Sequence, residues 1–367
     1  MEQSLPPLVR SSCEGVMANR DIIVIGGSAG SSDPLRTILA ALPRNFEAAV
    51  FVVVHVPANS AGIFRSVASA SSNLPVKQAG DGDVIRPGQI YIAPPNHHLL
   101  LTKEKLVLGN GPRENLARPA IDSLFRSAAL SCGPRTIGVL LSGKMNDGAS
   151  GLAVIKQAGG IAVVQAPTDA IAPEMPMSAL EATPVDLSAT SVELAQAILR
   201  FASEPPGPAR PLPANIKIEV EIAAGGRADT SSIKELADPS PLTCPDCGGV
   251  LSEVRHSQPL RFRCQIGHAY TAKALIAKQR DFVEVAMQVA LRTLEERATL
   301  VSRMAKEARE ANRLSMAQMH EERAMEYRKH ADVLRKALLQ GMEDEAPHES
   351  GSEVIDLEMR TGTKPKS

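Results

Sequence analysis

Between Asp21 and Phe201, short runs of uninterrupted apolar residues alternate with amphipathic stretches. DIIVIG (21–26), AVFVVVHV (49–56), QIYIA (89–93), TIGVLLS (136–142) and IAVVQ (161–165) carry almost no polar position. A strand that is apolar on both faces belongs in a parallel sheet covered by helices on both sides. The stretches near 33–42, 61–72, 119–132, 148–158 and 191–202 have helical spacing. This alternation predicts an α/β fold with a doubly wound, mainly parallel sheet. HLLLTKEKLVLG (98–109) reads as a hairpin inserted into it.

The pattern changes after residue 203. SEPPGPARPLPAN (203–215) is rich in proline, which suits a linker, and IKIEVEIA (216–223) alternates like a single strand. From about Thr271 to Gln340 there is neither Gly nor Pro. Apolar positions there step by four and three through Met287, Leu291, Leu294, Ala298, Val301, Ala305 and Ala308, then Ala324, Tyr327, Ala331, Leu334 and Leu338. Such a seam fits one long helix, or a helical hairpin bent near 310–320. The expected organisation is a flexible leader (1–20), an α/β domain (21–203), a Pro/Gly-rich linker (204–240), a Cys/His module (241–270), a helical hairpin or coiled coil (271–340) and a disordered tail (341–367).

Composition narrows the function. Lys+Arg is 40 and Asp+Glu 41, a net charge of −1, so no global basic field exists to hold nucleic acid. Trp is absent and aromatics are 3%, which disfavours base stacking. No apolar run approaches the roughly 20 residues of a membrane span. The opening MEQSLPPLVRSSCEGVMANR has no apolar h-region, so the expected compartment is the cytoplasm and disulfides are not expected.

The first apolar run leads straight into Gly26-Gly27-Ser28-Ala29-Gly30 and then a helix. This is G-x-S-x-G in its strand–turn–helix setting, where a sharp turn presents the serine hydroxyl and the helix N-terminus offers N–H groups to an oxyanion. A phosphate-binding glycine turn is the weaker alternative, because the second strand ends in His55 rather than an acid. His55 closes its apolar strand at the same carboxyl edge as Ser28, where an imidazole can act as general base. Asp147, in SGKMNDGA after the strand at 136–142, suits either an acid that orients His55 through Nδ1–H or an N-cap for the following helix. The order Ser, His, Asp differs from that of the α/β-hydrolases.

These segments resemble the CheB protein-glutamate methylesterase family of bacterial chemotaxis. The resemblance rests on IGGSAG, VHVP, DGDVIRPGQIYIAPPNHHLLL, ENLARPAIDSLF and LLSGKMNDGASGL, in the family's order over about half the chain. It implies a catalytic domain over 21–203, with Ser28 as nucleophile, His55 as base and Asp147 as its orienting acid. It also implies hydrolysis of glutamate methyl esters on chemotaxis-type receptors with release of methanol, and in some members deamidation of glutamine. No cofactor is expected for catalysis. Ala29 stands where the family often has Thr, Ser31 where a second Gly is usual, and Lys144-Met145 where Met-Gly is commoner. About 20 residues precede the first strand, so no receiver domain is expected there. Around the site, His97 and His98 suit hairpin structure, and Arg118 suits a surface ion pair or a receptor carboxylate.

Cys244-Pro-Asp-Cys247-Gly-Gly followed by Cys264-Gln-Ile-Gly-His268 makes C-x2-C and C-x3-H, a zinc-ribbon pattern. Three thiolates and one imidazole close a tetrahedral site, which points to a structural Zn²⁺. Stand-alone members of the family carry similar C-terminal CPxC…RCxxGHA segments. Cys13 and Cys132 are left as free thiols. The expected partner is a methyl-accepting receptor, with the helical region 271–340 available to other helices; nucleic acid and membrane insertion are not expected. Two alternatives stay open: a non-catalytic receptor-binding adaptor, and a serine esterase acting on a small molecule.

Overall fold

The computed structural model describes residues 19–56, 61–226, 230–255 and 257–343. Most of the leader, Cys13 and the tail from 344 onward lie outside the described residues. Two units divide the chain, one up to Lys278 and one from Gln279.

In the first unit the chain runs β1 (Ile22–Gly27), α1 (Ser32–Ala41), β2 (Ala49–Val54), α2 (Ala61–Ser71), β3 (Val76–Gln78) and β4 (Ile90–Ile92). The hairpin β5 (His98–Leu101) and β6 (Leu106–Gly109) follows, then α3 (Ile121–Cys132), β7 (Thr136–Leu140), α4 (Ala149–Gln157) and β8 (Ile161–Gln165). Next come α5 (Glu174–Ala182), β9 (Leu187–Ala189) and α6 (Ser191–Ser203). The seven strands form one sheet in the order β3-β4-β2-β1-β7-β8-β9, parallel throughout. Alternate residues of β1 feed two cores: Ile22 and Val24 pack towards α3, α4 and α5, while Ile23 and Ile25 pack towards α1 and α6. Burial on both faces is why the central strands read as apolar runs.

The connection from β1 leads to β2 on one side, and the chain later places β7 on the other. The carboxyl edge between β1 and β7 is thus a topological switch point, where loops diverge and leave a crevice.

Residues 204–240, expected as linker, contain α7 (Ala214–Ala224), α8 (Thr230–Leu236) and most of β10 (Ala237–Thr243). The strand expected over 216–223 is instead helix α7. Its alternation misleads because Glu219 is buried with Ile216, Ile222 and Ala223, giving a helical face whose polar member is paired inside. Gly109 and Gly111 let α7 approach: a Cβ on Gly109 would meet the Ala223 carbonyl, and one on Gly111 the carbonyls of Ile222 and Ala223.

Strand β10 joins β11 (Val250–Val254), β12 (Arg261–Cys264) and β13 (Ala269–Thr271) in an antiparallel four-stranded sheet. Cys244, Leu251, Phe262, Cys264 and Tyr270 form its small core, with Leu116 and Met145 packed on it. Helix α9 (Ala272–Glu310) begins directly after β13.

The second unit holds the rest of α9 and α10 (Leu314–Glu343) as an antiparallel hairpin turning at 311–313, where Asn312 takes a left-handed φ of 57°. Ala298, Ala305, Ala317, Ala324 and Ala331 are buried along its seam. Arg309 pairs with Glu321 at 2.6 Å, Arg328 donates to Ser302 Oγ at 2.7 Å, and Arg335 pairs with Glu295. No helix among the described residues is long and apolar enough to cross a membrane.

Candidate active site and metal centre

Ser28 follows β1 directly and His55 follows β2 directly, in a register that pairs Gly27 with Val54. Both are therefore set at one edge by the sheet itself. The Ser28 N–H donates to Ser142 O at 2.9 Å and the His55 N–H to Gly27 O at 3.1 Å. Ser31 Oγ donates to Ser28 O at 2.7 Å and Ser142 Oγ to Ala29 O at 2.8 Å, so the elbow is braced on both sides. Gly30 has φ +75°, and a Cβ there would press on Ile171 and Ser142.

Asp147 lies in the loop after β7 and is 5% exposed in its side chain. Its Oδ2 stands 3.1 Å from His55 Nε2. The separation is that of a hydrogen bond, but the ring N–H is off axis, so the contact is electrostatic as it stands. The nitrogen facing the acid is Nε2, not the Nδ1 expected from the sequence.

Asp147 does not cap the helix that follows it; Gly148 fills the N-cap of α4 without a side-chain bond. Instead Asp147 accepts from Ile121 N at 2.6 Å and Asp122 N at 3.2 Å, the first amides of α3. Asp122, in α3, accepts in turn from Gly151 N of α4 at 2.6 Å. Asp147, in the loop before α4, thus holds the first turn of α3, Asp122 of α3 holds the first turn of α4, and Asn115 Nδ2 bridges both carboxylates at 2.9 Å. Burial works to raise the Asp147 pKa, but His55, Asn115 and the Ile121 amide outweigh it and hold the carboxyl below its usual range. Burial and the neighbouring Asp147 charge push Asp122 up, to about 7. The sequence placed Asp122 at the opening of a helix within ENLARPAIDSLF; Asn115 lies in the same segment, but nothing singled it out.

His98 is fully buried: Nε2 is 2.9 Å from Pro112 O, and Nδ1 accepts from Ala120 N at 3.2 Å, a structural role. Burial lowers its pKa. His97 Nδ1 lies 3.2 Å from Pro95 O, and Arg118 donates to the backbone carbonyl of Gly111 at 2.9 Å rather than to a carboxylate.

In the loop that carries Asp147, several N–H groups are already engaged. Ser142 N donates to Gln165 Oε1 at 2.8 Å, Gly143 N to Ala172 O at 2.9 Å and Met145 N to Glu174 Oε2 at 2.7 Å. Met145 takes φ +66°, a left-handed conformation that glycine would adopt without strain, and its side chain packs on the core of the antiparallel sheet.

The donor atoms of Cys244, Cys247, Cys264 and His268 lie within 4.8 Å of one another. Cys247 Sγ is 3.7 Å from Cys264 Sγ, and His268 Nδ1 is 3.7 Å from Cys244 Sγ and 3.5 Å from Cys264 Sγ. A zinc tetrahedron with bonds of about 2.0–2.3 Å has edges of roughly 3.6–3.8 Å, so the four residues fit such an ion. Tyr270 OH lies 3.6 Å from Cys244 Sγ and donates to Asp246 Oδ2 at 2.6 Å, which buttresses the cluster.

Residues 23–198 match the family model described as CheB methylesterase. A relative from Leptospira interrogans is 41% identical over 184 residues, which is 50% of this chain and 95% of that protein. A protein-glutamate methylesterase/protein-glutamine glutaminase of Oleidesulfovibrio alaskensis is 34% identical over 184 residues, covering 49% of this chain and 50% of its own length. Among solved structures, the catalytic domain of Thermotoga maritima CheB methylesterase is 31% identical, with 49% of this chain and 98% of that one covered and a TM-score of 0.48. With nearly all of the Leptospira relative spanned at that identity, and the site at the switch point of the sheet, the chain belongs to the CheB methylesterase family of carboxylic-ester hydrolases.

Proposed function

We propose that this chain hydrolyses glutamate γ-methyl esters on chemotaxis-type receptors, with Ser28 as nucleophile, His55 as base and Asp147 as the acid that orients it. Ser28 Oγ attacks the ester carbonyl carbon while His55 takes its proton. The tetrahedral oxyanion is met by amides following Ser28, since the Ser28 N–H itself is spent on Ser142 O. On collapse the C–O bond to the methoxy group breaks and His55 returns the proton, releasing methanol. Water then adds to the acyl-serine by the same proton relay, and glutamate and Ser28 are regenerated. With a glutamine substrate the leaving group is ammonia and the remaining steps are the same.

The observation that carries this reading is the convergence of three strand ends. Ser28, His55 and Asp147 follow β1, β2 and β7, and a buried carboxylate stands 3.1 Å from the imidazole. A fluorophosphonate probe followed by peptide mass spectrometry tests the nucleophile. Label on Ser28 that disappears in His55→Ala supports the assignment; label elsewhere, or none on folded protein, removes it.

We also propose that Cys244, Cys247, Cys264 and His268 hold one structural Zn²⁺, which would stabilise a module whose own core is small. Metal analysis should find about one zinc per chain and its loss in Cys264→Ser.

A further inference from the structure

The antiparallel sheet is joined to the catalytic unit at the acid loop. β13 starts immediately after the cluster residue His268 and ends at Thr271, which is fully buried. Asn115 N donates to Ala269 O at 2.9 Å, laying the 113–115 segment alongside β13. Thr271 then makes three bonds. Its N–H donates to Asn115 Oδ1 at 3.0 Å, its hydroxyl donates to Asn146 Oδ1 at 2.6 Å, and the same oxygen accepts from Ala274 N of α9 at 3.2 Å. Asn146 is the residue before Asp147, and Asn115 Nδ2 donates to Asp147 Oδ1 at 2.9 Å. Thr271 therefore grips the acid loop twice, once through its neighbour and once through the amide that holds the carboxylate. Met145 adds an apolar anchor on the same module, in a backbone conformation that a side chain adopts only at a cost.

Helix α3 supplies amides to Asp147, and Gln165, Ala172 and Glu174 hold residues 142–145 of its loop. Thr271, and the packing of Met145 on the Cys/His core, add contacts between the antiparallel sheet and residues 145–147. We infer that Thr271 and Asn115 are positioning residues, through which the Cys/His module holds Asp147 in place for His55. The inference rests on the esterase reading for its catalytic consequence, but the bond network itself can be tested without turnover.

The test uses the full chain with Thr271→Val, Thr271→Ser and Asn146→Ala. Valine keeps the shape and the N–H but removes the hydroxyl; serine restores it. Three readouts are taken: metal content, amide hydrogen exchange over 121–122 and 145–147, and kcat and KM for methanol release from a glutamyl-methyl-ester receptor fragment. Leaving the buried Asn146 acceptor unpaired should lower kcat about tenfold with KM little changed. Exchange at the loop should rise by a similar factor while zinc stays bound. Thr271→Ser should match wild type, and Asn146→Ala should reproduce the valine defect, with the double variant no worse than either single one.

If Thr271→Val is slow to fold, Asn146→Ala carries the same expectation from the other partner. Unchanged exchange and kcat in folded, metal-loaded Thr271→Val and Asn146→Ala would overturn the inference. A wild type that shows no Ser28-dependent turnover would instead remove the esterase reading, and the exchange data would still judge the relay.

Discussion

Arg263 of β12 and Glu114 of the segment before α3 are paired at 2.8 Å with both side chains buried, although 149 positions separate them. Arg126 of α3 reaches the same Glu114, and Glu219 of α7 pairs with Arg261 and, at 3.3 Å, with Arg263. Three arginines and two glutamates thus tie the antiparallel sheet, α7 and α3 into one body. Buried pairs of this kind contribute little over an apolar core, but losing one partner strands the other.

Arg263→Met should accordingly destabilise the first unit by about 3 kcal/mol, read as a fall in thermal and urea midpoints. Arg263→Lys should not restore it, because the guanidinium spans Glu114, Glu219 and the Gly267 carbonyl at once. Stability within about 0.5 kcal/mol of wild type for Arg263→Met would show the network to be incidental.

Asp147→Asn keeps the size of the side chain and one oxygen for the α3 amides. It removes the charge beside His55. We expect kcat to fall by about 10³–10⁴ with the far-ultraviolet circular dichroism unchanged. A fall of less than about tenfold would assign Asp147 to capping α3 alone.

Gly143 sits against the serine elbow: a Cβ there would come to 2.9 Å from Ser28 Cβ and would press on Met175 Sδ. Gly143→Ala should therefore displace Ser28 and lower kcat/KM by about tenfold or more, with fluorophosphonate labelling slowed in parallel. Normal labelling rates in this variant would mean that the elbow tolerates the shift.

The acid side of the pH–stability profile should reflect the buried glutamates. Burial alone would raise Glu219, but Arg261 and Arg126 hold it down to about 2, and Arg126 and Arg263 hold Glu114 below its usual range. A depressed folded pKa contributes stability above the unfolded value of 4.5, and that stability is lost as pH falls from there towards 2. Asp122 runs the other way: with a folded pKa near 7, its contribution declines as pH rises from 3.8 through 7. Glu219→Gln should flatten the loss between pH 4.5 and 2, with metal content followed alongside because metal binding by the proposed Cys/His site would itself weaken on acidification. An unchanged slope in that variant would mean that the pairing does not control acid unfolding.

Much of this was legible in the sequence where local pattern and burial agree. The central strands β1, β2, β4, β7 and β8 are buried on both faces, and their apolar runs located them and set Ser28 and His55 at one edge. The edge strands β3 and β9 are only three residues long and partly exposed, too short to register as a pattern. The heptad seam of 287–338 matches the hairpin, with Ala298, Ala305, Ala324 and Ala331 buried as their spacing required. What the pattern could not reveal was pairing across distance. Glu219 reads as a surface acid until Arg261 is beside it, and Thr271 and Asn115 look ordinary until folding brings them together. Likewise, Asp147 stands where an N-cap for α4 belongs, and only the fold shows that it serves α3.

The most direct measurement is methanol release from glutamate-methylated receptor signalling fragments, comparing wild type with Ser28→Ala in folded, zinc-loaded protein. Wild type should release methanol and the variant should not. Equal release by both, or none by wild type, would contradict the account.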